Sequence, residues 1–298
     1  MSHFTVAVIT KGTPTEAMIK KALAPYDENK EVVTWTTRQD LIAKTRKEIE
    51  DYKNSTYANY LKDKEAYKKD CSNDKHIEYL ENEFPKKLKW TDEECYQDAI
   101  KWEDKENIAP DGSLRSTYNP NSKWDWYQVG GRWAGSLRVP VDCENCGIGE
   151  KSWGWGNENP YKADGAYKCV DSARIKDLVF PNYREEYDKA KRFWELYIEK
   201  QEPITEADKE AIKWVFRSEK YLIDTYKDKE TYAECEATFY TYAVIDKDGE
   251  WHAKGEMGYW GMSSEDKDSV VNYIKGYKEK VFDNAGEDDY ITIVDCHI

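Results

Sequence analysis

Two histidines stand at opposite ends of this chain: His3 near the start, and His297 beside Asp295 and Cys296 at the finish. Imidazole and carboxylate are the groups that hold divalent ions or move protons near neutral pH. If the terminal segments pair as neighbouring strands, both histidines reach one sheet edge, with Glu256 as a further carboxylate. The plain alternative is polar strand ends meeting solvent, because no spacing motif supports a site. A second candidate is the pair Cys143 and Cys146, two residues apart and followed by Gly147. Thiolates so spaced can chelate zinc from a tight turn, with Cys169 as a third ligand, and the ion would be a structural zinc. No fourth ligand is evident, and ordinary loop thiols explain the same residues.

The third candidate is the segment Lys123-Trp124-Asp125-Trp126-Tyr127-Gln128-Val129-Gly130-Gly131-Arg132-Trp133-Ala134-Gly135. Side chains alternate on both sides of Gly130-Gly131, which predicts a hairpin with a tight primed turn. Trp124, Trp126 and Gln128 then share one face, and Asp125, Tyr127 and Val129 the other. Arg132 with free backbone N–H groups at the tip could hold an anion. Trp124, Trp126, Tyr127, Arg132 and Trp133, with Glu256 and Trp260 further on, form the candidate surface for a ligand or a partner. An aromatic core hairpin with an ordinary turn accounts for most of these residues equally well. No G-x-S-x-G, H-E-x-x-H, Walker or G-x-G-x-x-G pattern occurs, so no catalytic residue is assigned.

Positioning these residues requires a scaffold, and the composition constrains it. The chain has 298 residues, 39% hydrophobic and 35% charged, with Trp 12, Tyr 23 and Phe 7. Few but large apolar side chains imply an aromatic core or an aromatic contact surface. The net charge of −14 repels nucleic-acid phosphates, so direct nucleic-acid binding is not expected, while a basic partner surface is compatible. Seven cysteines, no secretory leader and no apolar run of membrane length point to a reduced cytosolic compartment and no membrane.

Residues 3–10 and 290–297 read as strands, as do 31–37, 237–245 and 250–256. Residues 38–69 read as one long charged helix whose thin apolar stripe, Ile42, Ile49, Tyr52, Tyr60 and Tyr67, needs another helix or another chain to cover it. Helices follow at 74–84, from a capping box at Thr91 and Glu94, at 182–201, from Thr205 with Ala207, Ala211, Trp214, Val215 and Leu222 facing inward, and from Ser263 or Ser264 to Val281. The expected fold is α+β: a mixed or antiparallel sheet built from both termini and central hairpins, with long inserted helical segments. Residues 1–37, 106–140 and 234–298 would make a discontinuous sheet domain, 38–105 a helical insertion, and 141–233 an irregular cysteine-containing segment followed by helices.

Four blocks carry a resemblance: the start Met1-Ser2-His3-Phe4-Thr5-Val6 with Ala24-Pro25-Tyr26-Asp27-Glu28-Asn29; the Lys123–Gly135 segment; Lys254-Gly255-Glu256-Met257-Gly258-Tyr259-Trp260-Gly261; and Thr292-Ile293-Val294-Asp295-Cys296-His297-Ile298. They resemble a widespread family of tailed-phage hypothetical proteins, and the chain looks similar to phage inhibitors of the Gabija defence. That resemblance implies a homo-oligomer in the host cytoplasm. It would bind and block a host defence complex of nuclease–helicase type through acidic and aromatic surfaces. The alternative is a nucleotide- or phosphate-binding protein, or a hydrolase, that uses the Trp/Arg hairpin.

Overall fold

The computed structural model describes residues 2–152, 158–257, 263–265 and 267–298. Its contacts divide the chain into two units, residues 1–30 with 121–298, and residues 31–120.

The first unit is organised on the two chain ends. Strands His3–Lys11 and Asp289–His297 run antiparallel, in register from His3 opposite His297 to Lys11 opposite Asp289. Both carry a central run dominated by apolar and β-branched residues, Val6–Thr10 and Tyr290–Val294, and both are buried along most of their length. Continuous apolar character is what a strand covered on both faces requires. Ala243–Ile245 joins the free side of the N-terminal strand in parallel, and Trp251–Ala253 pairs antiparallel outside it. The other side of the C-terminal strand is shared. Ser172–Arg174 pairs with residues 290–292, and Trp126–Gly131 pairs from Val129 opposite Val294 to Trp126 opposite His297.

Side-chain alternation then defines two cores. Ala7, Ile291, Ile293 and Val244 face Leu137, Val139, Val170, Tyr277 and Val281. Phe4, Val6, Val8, Val294 and Cys296 face Ile19, Leu23 and Trp124. Ile19 and Leu23 lie on helix Glu16–Leu23, whose first turn is capped by Thr15. Each such side chain contributes about 1.5–3 kcal/mol by leaving water. A third core is wholly helical: Ala190 and Trp194 of Tyr183–Tyr197 pack with Leu222, Tyr226, Tyr232, Val270 and Ile274. Helix Lys267–Lys278 serves two cores, because Val270 and Ile274 enter the helical one and Tyr277 the sheet.

The second unit, residues 31–120, begins and ends in a ribbon where Thr34–Thr36 pairs antiparallel with Leu114–Ser116. Residues 31–37 and 106–120, placed with the sheet by sequence, lie in this unit. The long helix expected over 38–69 is segmented: α-helix Arg38–Tyr52, a π-helical turn Lys53–Tyr57, then Ala58–Lys62 and Lys64–Asp70. The break falls at Asp63, whose extended backbone (φ −155°) lets its carboxylate cap the next helix at Ala66. The aromatic stripe is covered from within the chain. Tyr52 and Tyr57 pack on Phe84 at ring separations of 4.7 and 4.9 Å, and the Tyr60 hydroxyl donates to Glu81. The Thr91–Glu94 capping box is present and starts Asp92–Ile100, against which Arg38 lies 4.3 Å over the Tyr96 ring.

The architecture is α+β with a mixed sheet, as expected, but three local expectations change. Gly130-Gly131 is not a hairpin turn. The segment before it pairs with the C-terminal strand, whereas Leu137–Pro140 pairs with Tyr167–Val170 in a separate sheet. Ser263 and Ser264 do not cap a helix but form a two-residue strand against Glu256–Met257. The strand expected from 237 is confined to Ala243–Ile245, because helix Lys229–Ala237 runs to its start.

Candidate functional site

The pairing of the termini brings His3 and His297 directly opposite each other. Ser2 and Ile298, one step further out, exchange both backbone hydrogen bonds. His3 and His297 therefore form a non-hydrogen-bonded pair, the kind whose side chains approach most closely. Their ring centroids are 5.0 Å apart, with the rings edge to face. Asp295, two residues before His297, lies on the same face and is fully buried.

Each imidazole is held by its own carboxylate. His3 Nδ1 donates to Asp295 Oδ1 at 2.8 Å, and His297 Nδ1 donates to Asp125 Oδ1 at 2.6 Å. A carboxylate can only accept, so Nδ1 carries the proton in both rings and Nε2 is left with a lone pair when the ring is neutral. Asp295 Oδ2 also accepts from the Arg132 backbone N–H at 3.0 Å. The Nε2 atom of His297 is buried and has no partner. Trp126, opposite His297 in register, keeps 46% of its surface exposed and lies 6.1 Å from the His3 ring. The result is two neighbouring histidine–aspartate pairs beside an exposed indole, built from both chain ends and the tryptophan segment.

Local sequence accounts for the arrangement. The Asp125 N–H bonds the His297 carbonyl at 2.9 Å, which sets the carboxylate beside the imidazole. The Trp124 indole N–H donates to Leu23 O at 3.2 Å and fixes the ring in the core. Residues 24–29 hold the segment from the other side, since the Tyr26 carbonyl accepts from Lys123 N–H at 2.8 Å and Glu28 N–H reaches Trp124 O at 2.8 Å.

The tryptophan segment does not present one aromatic surface. The strand begins only at Trp126, and the chain ahead of it bends, so Trp124 turns to the side of Tyr127. These two rings meet edge to face at 5.2 Å inside the second core. Trp133 packs against the first core, and Arg132 is exposed. What Arg132 lends to the site is its backbone N–H, because the tight turn after Gly131 aims that group at Asp295. Glu256 is exposed on a separate two-stranded ribbon. Trp260 lies outside the described residues.

The three cysteines are not gathered into a zinc site. Cys143 and Cys146 pack half-buried against the first core, with Cys146 Sγ donating to the Cys143 carbonyl at 3.4 Å. Burial pushes the Cys143 thiol up, with Cys146 and Asp177 adding to the shift. Lys168 Nζ also reaches the Cys143 carbonyl, at 2.6 Å. Cys169, next to Lys168 in an extended strand, points to the opposite face, level with Arg138. Among the described residues no group of three or more His, Cys, Asp or Glu is placed to hold a metal ion.

Two features escaped the sequence reading. Asp171 is fully buried and accepts from Gly135 N–H, Gly149 N–H and the Tyr161 hydroxyl at 2.5, 2.7 and 2.7 Å. Nothing in its neighbours flags it. The other, in the helical part of the first unit, overturns the inward orientation expected of Trp214, because helix Glu206–Ala211 ends before it. Between helices Glu206–Ala211 and Glu219–Tyr226, Trp214 is 73% and Phe216 97% exposed, and Ile204, just ahead of the first helix, is 83% exposed. Aromatic residues of this size at near-full exposure are unusual for a surface that meets only water. Comparison with family models, curated proteins and solved structures finds no match.

Proposed function

We propose that this chain is a phage-encoded inhibitor that binds a host defence complex of nuclease–helicase type, such as Gabija, and blocks it in the host cytoplasm. The observation that supports it best is the exposed pair Trp214 and Phe216. Large aromatic side chains supply most of the energy at protein interfaces, because they bury much area for little conformational entropy. The net charge of −14 adds the second element. A nucleic-acid enzyme presents a basic surface to its substrate, and an acidic protein competes for it and is steered to it. Trp214 and Phe216 are more exposed than any tryptophan of the Lys123–Gly135 segment.

The test is plating of a defence-sensitive phage on cells carrying the defence, with this chain co-expressed. The wild type restores plating. Replacing Trp214 and Phe216 by Ala weakens binding to the purified complex by roughly 30-fold per residue, about 2 kcal/mol each, and abolishes rescue while the unfolding midpoint holds. Absence of rescue by the wild type, or undiminished rescue by the double variant, sinks the proposal. The nucleotide alternative retains Trp126 and Arg132 but loses Trp124, buried in the second core, and Tyr127, packed against it.

A further inference from the structure

The geometry points to a transition-metal site of two protein nitrogens, His3 Nε2 and His297 Nε2, at the paired chain ends beside Trp126. It is independent of the inhibitor proposal. Four observations converge on it. The two histidines are a cross-strand pair at the register position that brings side chains closest, on one face of the sheet. Ring centroids 5.0 Å apart keep the two imidazoles within reach of one shared ion. Each Nδ1 is engaged by a carboxylate, Asp295 for His3 and Asp125 for His297. That carboxylate–histidine pairing fixes the tautomer so that Nε2 is the free donor atom. Finally, His297 Nε2 is buried without a partner. A buried lone pair left unmatched is costly, and it is rare in folded proteins unless something binds it.

The donor set selects the ion. Two neutral imidazoles favour Zn²⁺, Co²⁺, Ni²⁺ or Cu²⁺ over the hard ions Mg²⁺ and Ca²⁺, which prefer oxygen. Two nitrogens alone make a site of modest affinity. The fully buried Asp295 carboxylate beside it offsets the charge of the ion.

Calorimetric titration of the full-length protein with Zn²⁺ and Ni²⁺, followed in parallel by Trp fluorescence, tests this. Trp126 lies 6.1 Å from His3 and would report a quenching ion such as Ni²⁺ or Cu²⁺. The expected result is one ion per chain, lost in His3→Ala and in His297→Ala. Asp125→Asn, at a partly exposed position, weakens affinity 10- to 100-fold with the fold intact. Cys143→Ser with Cys146→Ser leaves it unchanged, which separates this site from the thiols. The inference is overturned if the wild type binds neither ion at 100 µM (about the weakest affinity worth assigning to a site), or if binding survives the loss of both histidines. Should the histidine variants fail to fold, undiminished affinity in Asp125→Asn overturns it instead.

Discussion

Gly130 and Gly131 each stand against a fully buried carboxylate, and that contact explains the dipeptide better than any turn. A Cβ on Gly130 would come within 2.6 Å of Asp171 Oδ2, and one on Gly131 would run into the Asp295 side chain. Both residues also have positive φ, +77° and +57°. Two costs therefore add, backbone strain and steric collision, and a control separates them. Gly249 has φ +85° with nothing within 4 Å of its virtual Cβ. Gly131→Ala is expected to cost about 2–4 kcal/mol and to disturb the His3–Asp295 contact, whereas Gly249→Ala costs about 1 kcal/mol from strain alone. Urea denaturation of the two variants provides the comparison, and equal losses would show that the close approach to Asp295 does not matter.

At the scale of elements, helix starts do much of the work in the helical core. Thr205 and Asp208 form a capping box at the start of Glu206–Ala211, and Asp208 goes further. Its carboxylate takes Arg192 at 2.7 Å and the Ile204 N–H at 2.8 Å, tying this helix to Tyr183–Tyr197. The Arg192 bond, with help from the Ile204 and Thr205 backbone, holds the Asp208 carboxyl well below the usual range. The sign follows from linkage. A carboxyl depressed in the folded state stabilises it fully above the unfolded value, about 4, and that contribution is lost as pH falls further. Asp208→Asn should therefore be less stable than wild type at pH 7, with the gap closing progressively below about pH 4. Thermal melts across that range check it, and a gap independent of pH would assign the loss to geometry, not charge.

Over the whole molecule, the division into two units carries an energetic expectation. Phe84 is 1% exposed and centres the aromatic packing of residues 31–120 with Tyr52, Tyr57 and Tyr79. Phe84→Ala should cost that unit about 3–5 kcal/mol. Hydrogen exchange would then speed up over 38–100, while amides of the paired terminal strands keep their protection, as expected when cooperative units open separately. Uniform loss of protection across the chain would instead mean that the two units unfold as one. The same aromatic packing covers the stripe of the first helix from within the chain, so the stripe by itself no longer asks for a second copy.

Sequence by itself determined the elements whose signals are local. The terminal strands were legible because a run of β-branched residues needs no partner to be recognised. The capping box at Thr91 and the helix cap at Thr205 were legible because the bonds span three residues. The α+β class followed from strands at both ends with helices between. Tertiary structure alone decided the rest, because it turned on contacts between residues far apart in sequence. Alternation predicts a hairpin at Gly130-Gly131 equally well whichever strand is the partner, and only the fold selected the C-terminal one. The histidine pairing was conditional on the two ends meeting in register, and a shift of one residue would have sent His3 and His297 to opposite faces. Asp125 became a histidine partner only through a chain bend that period-two patterning does not encode. The exposure of Trp214 and Phe216 has the same origin: burial belongs to neighbours, and those neighbours are chosen by the fold.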